Sequence, residues 1–318
     1  MFIILSAAAA IFPMIVYLYL IWRFDRYDKE PVPMVLRNYL WGGLGAIVFS
    51  IIGSDLLYAG ISLFITDEIQ LNYIQTVLIA PVVEESTKGI FLFLTIAGKK
   101  FDNITDGIVY GGAIGLGFGM TENFLYFITY GDTFQNWIMI VVVRTLFSGV
   151  MHCVSTATLG AFLGYAKFRD FGIKILSAGA GFSIAVFIHF LWNLSVSYQD
   201  TTLLGFIFLG ASVIVMFVVF SISVAGEKKI IFNELSEEVT NGLIPADHLL
   251  ILNSSKRKKF GWIDENIRRL YVIAATTLAF RKMQYKNSNG KQKLFCEREI
   301  EYYRSYIQLL LSTGFDKV

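Results

Sequence analysis

Ionisable side chains lie deep inside four of the long apolar segments of this chain. In chain order they are Glu84, Glu85 and Lys88, then Glu122, then Arg144 and His152, and finally His189. A charged side chain at the centre of a bilayer costs roughly 2.5–3.5 kcal/mol on insertion scales, so it usually has a function and a partner. Carboxylates and imidazoles at similar depth on separate spans can bind a metal ion, relay protons or activate water. The pattern predicts a buried polar site within a membrane.

The first of these segments contains two adjacent glutamates and a lysine. Glu84 and Lys88 are four residues apart on a helix and can form an ion pair. Such a pair could be purely structural, and Glu85, which projects about 100° away, would then have no evident role. We therefore expect Glu85 to bind a cation, take up a proton or activate water.

Two histidines lie on separate segments. A single buried histidine is more often a structural group than a metal ligand, but two at matching depth, with three carboxylates available, favour a site. His189 is followed by Trp192 and by Asn193, which lies on the same helix face. Arg144 either pairs with a carboxylate or extends toward the membrane surface.

Glycines repeat every four residues in the apolar segment that leads to Glu122. They are Gly107, Gly111, Gly115 and Gly119. A seam of small residues lets another helix approach closely. A phosphate-binding loop is disfavoured, because the run lies inside a span and lacks the Lys-Ser/Thr that follows such loops.

The composition indicates a membrane protein. Of the 318 residues, 55% are hydrophobic and 16% are charged, and the mean hydropathy is +0.58. A span needs about 20 apolar residues. We therefore predict an all-α polytopic membrane bundle of about seven transmembrane helices. They lie near residues 2–22, 39–64, 74–96, 106–128, 137–165, 175–198 and 203–225.

Loop charges predict the orientation. Alternate loops contain nine basic residues: Arg23, Arg26, Lys29, Arg37, Lys99, Lys100, Lys167, Arg169 and Lys174. The loops between them contain no lysine or arginine. Their charged residues are acidic: Asp67, Glu68, Asp132 and Asp200. By the positive-inside rule, the N-terminus lies outside and the C-terminus in the cytoplasm.

Residues 226–318 differ from the membrane domain, 1–225. They contain sixteen Lys/Arg and eleven Asp/Glu, and their apolar residues repeat at helical spacing. We expect a small, basic, helical cytoplasmic region, with a short helix near 234–239 that Gly242 and Pro245 end. The run Lys256-Arg257-Lys258-Lys259 is either a solvated basic turn or a segment attracted to anionic lipid.

Five motifs together resemble the PrsW-type intramembrane proteases, relatives of the CAAX prenyl endopeptidases and the Abi proteins. The segment 25–31 is similar to the family's D-x-x-EP motif, and 84–88 resembles EExxK. The stretch 106–123 resembles a glycine-rich run that ends in EN. His152 with Thr156 and Gly160, and the sequence 189–193, resemble two histidine motifs. The likeness covers nearly the whole membrane domain.

The resemblance implies an endopeptidase that cleaves a membrane-anchored protein, with Zn²⁺ as the expected cofactor. In the bacterial prototype this substrate is an anti-sigma factor, cleaved from the extracytoplasmic side in regulated proteolysis. Parts of the wider group are described as glutamic peptidases, so metal dependence stays open. The resemblance also implies a multi-pass protein of a bacterial plasma membrane, with the lipid bilayer and a protein substrate as partners and no nucleic acid.

Two mechanisms fit the residues. In a zinc mechanism, Glu122, His152 and His189 are ligands and one position stays open for water. Glu84 or Glu85 is then the general base, Asn193 donates to the oxyanion, and Lys88 polarises or pairs with the glutamates. Without a metal, a buried glutamate activates water and a histidine assists. Supporting residues in either case are Asn123, Arg144 and Trp192.

A proton- or cation-coupled transporter is the alternative from another class of protein. The same buried carboxylates and histidines could relay ions across the membrane. Inverted repeats would support a transporter, and the two halves of the chain show no convincing likeness.

Overall fold

The computed structural model describes residues 2–98 and 101–315. Lys99 and Lys100, two of the nine basic loop residues used to predict the orientation, lie outside the described residues. The described residues form helices and no strand. The helices are α1 (Phe2–Phe24), α2 (Val32–Ser62), α3 (68–96), α4 (Ile104–Tyr130), α5 (Phe134–Ala166), α6 (Phe171–Val196), α7 (Thr202–Thr240), α8 (Ala246–Leu252), α9 (Glu265–Asn287) and α10 (Gly290–Phe315).

Several loops end at side chains that cap the next helix. Asp67, Asn103 and Thr133 each accept a hydrogen bond from a backbone N–H in the first turn of α3, α4 and α5. Such caps satisfy donors that have no partner within the helix. Short polar residues therefore set the starts of the three helices that carry most candidate residues.

In the described part of the chain, three helices contain a π-helical turn. These turns lie at Trp41–Ala46 in α2, Gln75–Ile79 in α3 and Arg144–Ser148 in α5. A π turn inserts one residue into the helical repeat and is frequent at functional sites. The turns in α3 and α5 lie directly before the glutamates of α3 and before His152, so they help to set the direction of these side chains.

Within the described residues, five helices are long and apolar enough to cross a membrane: Ile3–Phe24, Val32–Ser62, Phe134–Ala166, Phe171–Val196 and Gln199–Thr240. Their surfaces expose large apolar side chains, such as Ile214 and Phe217 of α7, as expected of helices that face lipid. The charged residues of α3 and the glycines of α4 lower the hydropathy of those two helices. The structure is a helical membrane bundle, and the count of seven spans stays a prediction.

The glycine seam of α4 packs against α5. A Cβ added to Gly107 would lie 2.0 Å from the carbonyl oxygen of Gly160, and one added to Gly115 would lie 2.1 Å from that of His152. The predicted close approach of a second helix is therefore present. Gly117, on another face, lies equally close to the backbone of Tyr39 in α2. α4 is thus enclosed by the other helices. The contact of its glycine seam with α5 fixes the position of His152 along the helix axis.

We expect Gly115→Ala to lower the free energy of unfolding by about 3 kcal/mol or more, because the helices must separate to accept the methyl group. The matched control is Gly210→Ala in α7, where no atom lies within 4 Å of the added Cβ. That change should leave stability unchanged or raise it by up to about 1 kcal/mol. Unfolding in mixed micelles measures both, and equal effects would contradict a tight seam.

The contacts divide the chain into two units. The first comprises the residues up to Asp25 and Glu30–Phe220, and the second comprises Arg26–Lys29 and the chain from Ser221 onward. The second unit has its own apolar core, which includes Leu235, Ile244, Tyr271, Leu278 and Ile307. The proposed domain boundary at 225/226 stays a prediction.

The start of the tail differs from the expected short helix near 234–239. The structure has one continuous helix, Thr202–Thr240, because no proline interrupts the chain between the apolar segment and Pro245. The predicted end is correct: Gly242 has a positive φ of 76° and Pro245 precedes α8. In the same unit, burial lowers the pKa of His248, whose ring packs against Tyr271 and Trp262.

Candidate active site

The acidic pair of α3 is organised around Lys88. Lys88 Nζ lies 2.7 Å from Glu85 Oε1 and 3.7 Å from Glu84 Oε2, and the lysine side chain is fully buried. The closer partner is thus Glu85, three residues away, rather than Glu84, four residues away. Both spacings share a helix face, so sequence spacing alone could not choose between them.

Glu85 is enclosed by hydrogen-bond donors. Its Oε1 accepts from Lys88 and from Ser155 Oγ at 3.0 Å, and its Oε2 accepts from Thr156 Oγ1 at 3.0 Å. His189 Nδ1 lies 3.1 Å from Oε1. The residue has no exposed surface. Glu85 therefore links α3, α5 and α6. Ser155, which lies one turn after His152, was not among the residues predicted from the sequence.

His152 lies between a lysine and a second carboxylate. Its Nδ1 is 3.1 Å from Lys88 Nζ, and its Nε2 is 2.6 Å from Glu122 Oε2. Because a lysine ammonium only donates, Nδ1 accepts from it, and Nε2 carries the proton that Glu122 accepts. Glu122 thus orients the ring of His152.

Glu122 is paired with Arg144. Arg144 Nη2 donates to Glu122 Oε2 at 2.6 Å, Arg144 Nε donates to Asn123 Oδ1 at 3.0 Å, and the guanidinium lies 3.6 Å from the centre of the Tyr126 ring. Of the two expectations for Arg144, pairing with a carboxylate is therefore observed. Asn123 supports this pair, and Tyr126 was not singled out from the sequence.

His189 reaches both glutamates of α3. Its Nδ1 faces Glu85, and its Nε2 lies 3.8 Å from Glu84 Oε2. A carboxylate accepts, so Nδ1 carries the proton and Nε2 keeps its lone pair in a neutral ring. The rings of His152 and His189 are perpendicular, with centroids 4.9 Å apart.

Glu84 Oε2 lies where two imidazole nitrogens converge. His152 Nδ1 is 4.0 Å from it and His189 Nε2 is 3.8 Å from it, while the oxygen itself is buried and has no hydrogen-bond partner. Among the described residues, Glu84, His152 and His189 form the group whose ligand atoms lie within 4.8 Å of one another. Two ligands of one tetrahedral zinc ion stand on the order of 3.4 Å apart. The two distances from Glu84 Oε2 to the histidine nitrogens exceed this value by about half an ångström. Two histidines and one glutamate are also ligand types that zinc takes, so this donor set fits a metal ion.

A cavity of about 480 Å³ adjoins this cluster. Of the predicted residues, its wall includes Glu84, Glu122, Arg144, His152, Trp192 and Asn193. Asn193 Nδ2 donates to the carbonyl oxygen of Thr76, in the π turn of α3, at 2.9 Å. Glu85, Lys88 and His189 do not line the cavity. The predicted residues thus divide into a group on the wall and a group packed behind it.

The acidic segment after α1 forms a second buried cluster. Asp25 Oδ2 accepts from the backbone N–H of Glu30 at 3.0 Å, and Glu30 accepts from the hydroxyl of Tyr110 in α4. The backbone N–H of Asp102 donates to Asp106 at 2.7 Å. The motif that resembles D-x-x-EP therefore joins the start of α2 to α4.

Comparisons with known proteins agree with this architecture. A family model described as PrsW family intramembrane metalloprotease matches residues 30–223. The Protease PrsW of Bacillus subtilis (strain 168) is 33% identical over 174 residues, which are 53% of this chain and 71% of the relative. The Protease PrsW of Oceanobacillus iheyensis is 30% identical over 191 residues, which are 60% of this chain and 81% of the relative.

A third relative, the Protease PrsW of Geobacillus kaustophilus, is 30% identical over 53% of this chain and 68% of its own length. No solved structure gives a significant match to the chain. The comparisons do not favour the transporter alternative. The family match and these identities place the chain in the PrsW family of intramembrane metalloproteases.

Proposed function

We propose that this protease hydrolyses a peptide bond of a membrane-anchored protein in the cavity beside Glu84, with a zinc ion held by Glu84, His152 and His189. The observation that carries the proposal is Glu84 Oε2, a buried oxygen without a hydrogen-bond partner that two imidazole nitrogens face. Two histidines and one glutamate are a common ligand set of catalytic zinc. This assignment exchanges the roles that the sequence analysis gave to Glu84 and Glu122.

Outer carboxylates support the proposed ligands. Glu122 accepts from His152 Nε2, and Glu85 faces His189 Nδ1. A carboxylate on the far nitrogen fixes the orientation and tautomer of a metal-binding histidine. A metal ion held by His152 Nδ1 would replace the contact of this nitrogen with Lys88, whose hydrogen bond to Glu85 would remain. A bound zinc ion supplies Lewis acidity and lowers the pKa of bound water to about 7.

The wall residues have separate roles in this proposal. Glu122 accepts a proton from water in the cavity, and Arg144 holds the carboxylate in place through the hydrogen bond at 2.6 Å. The Asn193 amide uses one N–H for Thr76, so its second N–H can donate to a substrate carbonyl oxygen. Lys88 stays behind the wall and balances the charge of the two glutamates of α3.

The substrate class follows from the position of the cavity within a membrane bundle. Apolar side chains such as Met139, Ile140 and Val143 line it beside the polar groups, which suits a segment that leaves the bilayer. A peptide bond inside a helix is shielded, so the substrate must unwind locally. A single-span regulatory protein of the anti-sigma type, which the family resemblance implies, meets this requirement.

Chelation tests the proposal. The purified chain, reconstituted with a panel of single-span membrane proteins including anti-sigma factors, should cleave at least one of them. A chelator should stop cleavage, zinc should restore it, and elemental analysis should give about one zinc ion per chain. Cleavage that persists in metal-free protein would support the glutamic mechanism instead, and ion flux without cleavage would support a transporter.

We also propose that the N-terminus lies outside a bacterial plasma membrane and the C-terminus in the cytoplasm. The charge bias of the loops supports this orientation. A cytoplasmic reporter fused after residue 318 should be active, and the same reporter fused before residue 1 should be inactive. The reverse result would contradict the orientation.

A further inference from the structure

A basic and aromatic turn in the second unit is exposed. Residues Ser255–Lys258 form a 3-10 turn, and Lys256, Lys258 and Lys259 are exposed while Arg257 is buried. Phe260, the next residue, is 81% exposed. An aromatic ring beside lysine side chains combines an apolar body with positive charge, as amphipathic groups at a membrane–water interface do. The turn therefore presents the combination of residues that suits a membrane–water interface.

The turn is held in one conformation by its neighbours. Ser254 Oγ accepts from the backbone N–H of Lys256 at 3.2 Å, and Arg268 Nη1 donates to the carbonyl oxygen of Lys258 at 3.0 Å. Gly261 has a positive φ of 89° and turns the chain directly after Phe260. Arg268 also lies 5.0 Å from the centre of the Phe260 ring. The side chains are thus presented by a built turn.

Arg257 places the turn close, along the chain, to the end of a membrane helix. Its guanidinium donates to the carbonyl oxygens of Arg26 and Tyr27 and lies 4.5 Å from the centre of the Tyr27 ring. Arg26 follows the end of the apolar helix Ile3–Phe24 by two residues. The residues that Arg257 contacts are therefore only two and three positions along the chain from the end of that apolar helix.

We propose that this turn is an interfacial anchor, in which Lys256, Lys258 and Lys259 bind anionic phospholipid headgroups and Phe260 enters the headgroup region. Charge complementarity identifies the partner, since the chain from residue 226 carries sixteen basic and eleven acidic residues. Each lysine near an anionic bilayer contributes about 1 kcal/mol, and aromatic side chains favour the interface. The anchor is independent of the proteolytic site.

Lipid-quenching experiments on the full chain test this anchor. A fluorophore on Ser255→Cys reports the turn, because the native Cys153 and Cys296 are buried. The chain is placed in nanodiscs of phosphatidylcholine, with or without phosphatidylglycerol, that contain a headgroup-labelled quencher lipid. We expect stronger quenching in the anionic nanodiscs, and loss of that difference at high salt, which screens the attraction.

The variant K256Q/K258Q/K259Q should lower the ratio of docked to undocked turn on the order of 100-fold in anionic nanodiscs. The control K291Q/K293Q/R298Q removes the same charge elsewhere in the second unit and should change nothing. Phe260→Ser should weaken quenching in both lipid mixtures. Equal quenching of the unsubstituted turn in the two lipid mixtures would overturn the proposal. The proposal would also be wrong if the control variant lowered quenching as much as K256Q/K258Q/K259Q does.

Discussion

Glu84→Gln is expected to abolish peptide-bond cleavage and zinc binding while the protein stays folded. The amide keeps the volume of the carboxylate but loses the negative charge of the oxygen that faces the two histidines and that we propose as a zinc ligand. Because the proposed metal would be lost with its ligand, the cleavage rate should fall by about 10²–10⁴-fold or more, at least as much as on removal of a general base. Because Glu84 Oε2 has no hydrogen-bond partner, a neutral amide there should cost little stability.

The measurements are the cleavage rate, the zinc content and the free energy of unfolding of the same preparation. Glu68→Gln is the matched control, because Glu68 is an exposed glutamate on the same helix. It should leave all three values unchanged. A Glu84→Gln protein that binds zinc at the normal level would remove Glu84 from the ligand set and favour Glu122, the ligand that the sequence analysis proposed.

Much of the architecture could be predicted because it depends on local sequence. Apolar length predicts the helices, and the four-residue glycine repeat predicts the seam of α4. Gly242 and Pro245 predict the end of α7 correctly, since a positive φ and a missing N–H act on the residues beside them. The start of the tail could not be predicted, because polar residues after position 226 are equally compatible with a helix that continues into water.

The partners within the site depend on packing between helices. Spacing on α3 allowed Lys88 to bond either glutamate, and the choice of Glu85 arises from Ser155, Thr156 and His189 on other helices. The pairing of Glu122 with Arg144 likewise requires that α4 and α5 pack with a particular offset along their axes. Sequence can therefore identify the members of a buried polar cluster, whereas the roles of its carboxylates follow from the tertiary contacts.

Glu85→Gln, unlike Glu84→Gln, should lower the free energy of unfolding. It removes the charge 2.7 Å from the fully buried Lys88 and leaves Glu84, at 3.7 Å, as the nearest carboxylate. Breaking a buried ion pair by removing one partner costs about 3–5 kcal/mol. The variant should also lose activity, because His189 loses the acceptor that orients its ring.

The double variant Glu85→Gln/Lys88→Met separates charge burial from chemistry. With both charges absent, most of the lost stability should return, since replacing a buried pair with neutral groups is often neutral or stabilising. Activity should stay absent, because the orientation of His189 is not restored. If Glu85 were instead the general base, the single variant would be inactive yet as stable as the unsubstituted protein. Unfolding in mixed micelles therefore distinguishes the two roles. A Glu85→Gln protein that keeps its full stability would show that the Glu85–Lys88 contact does not stabilise the site.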